Sequence, residues 1–180
     1  LFDHGIKPQG SYLDVFGYVP PDEDFNPQHP STRTDAIRDR TKMYQWARNN
    51  IGLVGTETAC DWTVPYVDFS SPLSSKNGIT VPLWDLVYHD AILTTYNPSD
   101  LRGLLNAGLP QVGRGFDVNE ENLALIHRMS ELNKRLAFAE MTRHEFLDAN
   151  YRKERSVFSD GTTVTIDWDA NTVQISPEIK

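Results

Sequence analysis

Asp35–Thr58 reads DAIRDRTKMYQWARNNIGLVGTET, and within it the apolar period changes from helical to extended. Ile37, Tyr44, Ala47 and Ile51 fall on one helical face, with Arg38, Arg40, Lys42 and Arg48 largely outside it, the spacing of an amphipathic helix packed on a core. Asn49, Asn50 and Gly52 supply the stop. Leu53–Gly55 then runs straight into Thr56, Glu57 and Thr58, a short strand with a polar end. Upstream, Ser11–Gly17 (SYLDVFG) is β-branched and aromatic and reads as a buried strand with one acid, Asp14, inside it. The connecting PPDEDFNPQHPSTR, with four prolines, reads as a surface loop. Strand, loop, helix, strand is a βαβ unit, and it points to an α/β fold with parallel strands.

Beyond Cys60 the pattern is irregular as far as Lys76. Val81–Ile92 (VPLWDLVYHDAI) is an apolar run whose core reads as a third strand, ending at Tyr88, His89 and Asp90. Asn97-Pro98-Ser99-Asp100 starts a short helix through Leu105, with Ser99 or Asn97 as cap. From about Asn119 a long amphipathic helix carries Leu125, Met129, Leu132 and Leu136 on one face. The last thirty residues change character. Val157-Phe158, Thr163–Trp168 and Val173–Ile175, separated by turns at Asp160-Gly161 and Asp169-Ala170-Asn171, read as a β-meander with Val164, Ile166 and Trp168 on one face. A boundary is placed near Arg155.

Composition narrows the function classes. The 180 residues are 39% hydrophobic and carry a net charge of -8, enough apolar content for a packed core and the wrong sign for a phosphate-backbone partner. No apolar run approaches the ~20 residues of a membrane helix, and no charged-then-apolar secretion signal opens the chain. Because the sequence begins at Leu1, localisation is left open between extracellular and cytoplasmic. The single cysteine, Cys60, excludes a disulfide framework and a cysteine-rich zinc site. No glycine-rich phosphate loop and no G-x-S-x-G elbow are found. No cofactor is implied.

Two acids stand out. Asp14 lies in a run where strand propensity disfavours it and where burial without a partner is costly. It either pairs with a basic neighbour or caps a loop, or it marks the C-terminal end of a barrel strand, where catalytic residues gather. Glu57 occupies the equivalent place one βαβ unit later. Neighbouring parallel strands lie about 4.8 Å apart, so acids at their ends suit the roughly 5 Å separation of a retaining glycosidase. Around them, Asp61, Trp62, Tyr66, Tyr88, His89 and Asp90 offer the aromatic faces and short polar groups that bind sugars. Trp84 reads as core, beginning a strand. The rival readings are a metal-dependent hydrolase on a similar barrel, with Asp61, Asp68, His89 and Asp90 around a divalent ion, and a non-catalytic carbohydrate-binding or assembly module.

The order SYLDVFGY, an acid- and proline-rich loop, TR-D-x-I-x-x-R, GLVGTE and VPLWDLVYHDAI resembles the endo-α-N-acetylgalactosaminidase-like glycoside hydrolases, whose catalytic β/α-barrels are followed by β-sandwich domains. The resemblance implies a glycosidase with carbohydrate as its partner, Asp14 as nucleophile and Glu57 as acid/base. The tail MTRHEFLDANYRKERSVFSDGTTVTID resembles the join between such a barrel and its β-domain. The expected fold is therefore a partial β/α (TIM-type) barrel over residues 1–154, its C-terminal part, followed by an antiparallel β segment over residues 155–180. A whole barrel takes about 250 residues. The remaining strands are expected from an N-terminal part of the same protein or from a second copy of the chain.

Overall fold

The computed structural model describes residues 2–71, 79–113 and 116–179. The chain folds as two units, Leu1–Pro72 and Leu73–Lys180.

The first unit is built on three short parallel strands, β1 (Gly10–Leu13), β2 (Leu53–Glu57) and β3 (Phe69–Ser71), with β2 in the middle. Leu13 pairs with Thr56, and Glu57 with Ser71. The helix α1 (Arg33–Asn50) connects β1 to β2. It begins at a capping box in which Asp35 N–H donates to Thr32 Oγ1 at 3.2 Å and Thr32 N–H donates to Asp35 Oδ2 at 3.0 Å. Such a cap is worth ~1 kcal/mol. Tyr44 and Ala47 are its buried residues, and α1 packs on β1 and β2. A short 3-10 helix, Asp61–Tyr66, follows β2. The βαβ reading holds, with one correction at β1. The strand ends at Leu13, so Asp14 lies one residue past it and is exposed. Water therefore solvates the carboxylate, and no compensating partner is required. The strand β3 hides in a sequence of three residues, below the length at which a period is visible.

The second unit corrects the reading of Val81–Ile92. Leu83–Tyr88 is a helix, α2, with Leu86 N–H donating to Pro82 O at 2.9 Å and His89 N–H to Asp85 O at 3.1 Å. A short apolar run does not distinguish buried strand from buried helix. The strand comes next, at Leu93–Tyr96 (β4), where two threonines mask a buried segment. The short helix expected from Asn97 starts later, as α3 (Arg102–Leu105), with Leu101 rather than Asn97 or Ser99 at its N-cap, and it leads to β5 (Leu109–Pro110), parallel to β4. The long helix α4 (Glu120–Leu136) starts where expected: Asn119 Oδ1 accepts from Asn122 N–H at 2.9 Å. Glu120 and Glu121 in its first turn and Lys134 and Arg135 in its last complement the helix dipole.

The antiparallel sheet has the order β6-β7-β8-β9, at Met141–Phe146, Lys153–Phe158, Thr163–Asp167 and Thr172–Ser176. The meander is as read. The change to antiparallel structure comes earlier than Arg155, because β6, a polar MTRHEF, pairs with β7. One core spans sheet and helices: Phe158, Val164 and Ile175 pack with Leu104, Met129, Leu132 and Leu136. Glu154 is buried and carries two side chains, with His144 Nε2 at 2.9 Å and Trp168 Nε1 donating at 2.6 Å. No helix among the described residues is long and apolar enough to cross a membrane.

Candidate active site

Tyr12, Gly55 and Phe69 form one rung across the three parallel strands. The rings of Tyr12 and Phe69 lie 6.1 Å apart at 27°, and they fit because position 55 has no side chain: a Cβ there would sit 2.2 Å from the Phe69 ring. Side chains alternate along a strand. Two residues on, Asp14, Glu57 and Ser71 continue the same face, while Val54 and Thr56 turn the other way and are fully buried. Thus both acids stand at the C-terminal ends of paired strands, on the face away from Tyr44 and α1. Glu57 is half-buried. Among the described residues neither carboxylate has a hydrogen bond or an ion pair, so the reading of Asp14 as a paired or capping acid is not what the structure has.

Each acid is followed by a β-branched residue in the left-handed region: Val15 at φ 56° and Thr58 at φ 44°. That conformation costs L-residues about 1–2 kcal/mol, and strain of this kind gathers at functional sites. Phe16 N–H donates to Asp14 O at 2.8 Å, closing a three-residue turn about Val15. On the other strand Ala59 N–H donates to Ser70 Oγ at 2.7 Å, fixing the chain just beyond Thr58.

The helical turn after Glu57 carries three of the sequence-predicted residues. Asp61 is exposed and takes Trp62 N–H at 2.8 Å on Oδ1. Trp62 is half-buried, its ring 6.2 Å from that of Tyr44 and tilted by 49°. Tyr66 closes the turn and is half-buried. Cys60 precedes it, its thiol pushed above the usual range by burial and then by Asp61. Asp68 binds within the unit, taking Arg48 at 2.8 Å and Val54 N–H at 2.8 Å.

The fold of this chain has solved counterparts. The chain matches α-N-acetylgalactosaminidase NagBb from Bifidobacterium bifidum, as a quadruple mutant, with TM-score 0.88 and 30% identity over 98% of this chain and 32% of that one. It matches the GalNAc complex of the same enzyme with TM-score 0.84 and 30% identity, and the Gal-NHAc-DNJ complex with TM-score 0.85 and 29% identity, over 97% of this chain in each case. The chain is similar to one part of an α-N-acetylgalactosaminidase. It spans about a third of the length of these solved structures. No protein-family model matches it, and no curated protein matches it either. The resemblance to N-acetylgalactosaminidase-type glycosidases carried by the sequence motifs is therefore present in three dimensions.

The other predicted residues of this α-N-acetylgalactosaminidase-like chain belong to the second unit. Tyr88 is half-buried, 4.7 Å from the Trp84 ring. Trp84 lies in α2, not in a strand, and donates through Nε1 to Thr94 Oγ1 at 3.2 Å. Asp90 is exposed. His89 is buried, with Ala139 O 2.7 Å from Nδ1 and Asn106 O 2.9 Å from Nε2. Burial pulls its pKa below the ordinary value, against the two carbonyls, which favour the charged ring. Among the described residues no three His, Cys, Asp or Glu side chains gather as metal ligands.

Sequence reasoning missed one polar cluster of the second unit. Asp85 is 3% exposed and accepts on Oδ2 from Tyr96 O–H at 3.0 Å and from Asn106 Nδ2 at 3.1 Å. Burial pushes its carboxyl up to about 7, against the hydrogen bond from Tyr96. An acid in the middle of Leu83–Tyr88 was the available signal.

Proposed function

We propose that this chain supplies the catalytic carboxylates of a retaining glycoside hydrolase acting on α-linked N-acetylgalactosaminides. The observation that carries the reading is the placement of Asp14 and Glu57 at adjacent parallel strand ends, on one face and without structural partners. Strand spacing of about 4.8 Å suits the short carboxylate separation of retaining enzymes, ~5–5.5 Å. Asp14 attacks the anomeric carbon and forms a glycosyl ester while Glu57 gives its proton to the departing glycosidic oxygen. Glu57 then takes a proton from water, the water attacks the anomeric carbon, and Asp14 leaves as carboxylate. The substrate class is taken from the solved counterparts, one of which is named as a GalNAc complex. Asp61, Trp62 and Tyr66, from the turn after Glu57, are assigned to substrate binding, with Trp62 the aromatic platform.

The parallel strands of the first unit, with α1 on one face and the acids at their C-terminal ends, are read as part of a β/α-barrel. Its remaining strands come from the rest of a longer protein or from a second copy of the chain. The test is made in a form with the full set of barrel strands. Glu57→Ala retains activity on aryl glycosides whose leaving group needs no proton and is accelerated by azide, which attacks the glycosyl-enzyme; Asp14→Ala loses activity on every substrate. Wild-type rates in both variants overturn the assignment.

A further inference from the structure

Leu13 and Thr56 are the residues immediately before the two acids, and they pair in register. Thr56 is fully buried, and its Oγ1–H donates to Leu13 O, on the neighbouring strand, at 2.9 Å. A hydroxyl has one proton. With that proton committed to Leu13, the 2.9 Å contact between Tyr44 O–H and Thr56 Oγ1 has Tyr44 as donor. Tyr44 is also fully buried. The result is a directed chain, Tyr44 to Thr56 to Leu13 O, running from α1 across both strand ends directly behind Asp14 and Glu57.

Two further contacts act on the same place, one from the loop after β1 and one from α1. Gly17 presses against Glu57 and Thr56: a Cβ there would lie 2.6 Å from Glu57 O and 2.8 Å from Thr56 Oγ1. The chain that leaves Asp14 thus folds back onto the strand end that carries Glu57. Arg40, four residues before Tyr44 and on the same side of α1, donates to Val19 O and, at 3.4 Å each, to Phe16 O and Pro20 O. Loop and strand ends are held from one helix.

We propose that Tyr44 and Thr56 are positioning residues that set the separation of the Asp14 and Glu57 carboxylates through this hydrogen-bond chain. The proposal rests on the reading of those two acids as the catalytic pair. Neither side chain faces the substrate, so the relay acts on the bond-making geometry and leaves ground-state binding alone. Small misplacements of reacting groups cost up to about a hundredfold in rate.

The test uses a catalytically competent form of the protein and an N-acetylgalactosaminide whose leaving group must be protonated, so that both acids are required. Tyr44→Phe keeps the ring and removes the donor, Thr56→Val removes the hydroxyl at similar volume, and Thr56→Ser restores it. The expected result is a fall in kcat of roughly tenfold to a hundredfold for Tyr44→Phe and Thr56→Val, with KM within about twofold, and recovery of most of kcat in Thr56→Ser. If Thr56→Val fails to fold, Tyr44→Phe decides alone. Asp14→Ala and Glu57→Ala are measured alongside. Loss of activity in these two with unchanged kcat in Tyr44→Phe overturns the relay and leaves the catalytic pair standing. Wild-type rates in the two acid variants overturn both. A loss in Thr56→Ser as large as in Thr56→Val also overturns the relay, since the hydroxyl would then not be the operative group.

Discussion

Asn106 donates through Nδ2 to Asp85 Oδ2 at 3.1 Å, while the Oδ1 atom of each residue is buried with no hydrogen-bond partner among the described residues. Two orphaned acceptors in one apolar setting are costly, and a proton on Asp85 relieves one of them.

This sets a pH dependence of stability. The Asp85 carboxyl is pushed from 3.8 up to about 7 in the folded chain, so the folded state binds the extra proton between those values. The contribution is fully present below the unfolded value and is lost as pH rises through about 7. Asp85→Asn keeps an acceptor for Tyr96 and removes the ionisable proton. Thermal melts from pH 5 to 8 are expected to show a falling Tm in the parent and a flat one in Asp85→Asn, which is the more stable at pH 8. Parallel curves for the two proteins would show that Asp85 stays ionised throughout.

Thr58, at φ 44°, is expected to gain stability on replacement by glycine, which adopts that conformation without the Cβ penalty. The gain in Thr58→Gly is up to ~1 kcal/mol, read as a shift in the urea midpoint at constant m. Its kcat falls if rigidity at this turn serves Glu57. A loss of stability would mean that the Thr58 side chain makes contacts worth more than the strain.

The two tryptophans next to the parallel strands are expected to separate by phenotype. Trp84→Ala removes the hydrogen bond to Thr94 and the tilted ring contact with Tyr88, so it lowers Tm by several degrees with KM unchanged. Trp62→Ala, from the turn after Glu57, raises KM. An inverted pattern in steady-state kinetics and melts would exchange the roles of platform and core.

β1 pairs with β2 on one edge only, and its Tyr12 is 43% exposed. An open parallel edge with apolar side chains invites another strand. The 180-residue chain alone is therefore expected to self-associate in light scattering and to bind a hydrophobic dye. A monomer that melts cooperatively and binds none would count against the missing-strand reading.

What the sequence made legible was periodic or capped. The α1 face was visible because Tyr44 and Ala47 recur at helical spacing, and α4 because Asn119 stands where a cap belongs. The meander showed itself through strict alternation from Thr163 to Trp168. What stayed hidden was short or polar on the inside. Leu83–Tyr88 is six residues, too few to show a period, and β4 buries Thr94 and Thr95, which composition assigns to the surface. The acids at positions 14 and 57 could be located as strand-end residues, but the buried hydroxyls behind them could not. A threonine in a strand looks the same in sequence whether it faces solvent or ties two strands together.

The shared core of Phe158, Val164 and Ile175 with Leu132 and Leu136 has a consequence for inheritance. A sheet that owned its core could be passed between proteins as a cassette, cut at the loop before its first strand. Here such a cut strips α4 of its floor and the sheet of its roof, because the apolar contacts cross it. Any recombination that moves the four strands must carry α3 and α4 with them, so the unit that selection can shuffle is larger than the unit that the strand pattern suggests.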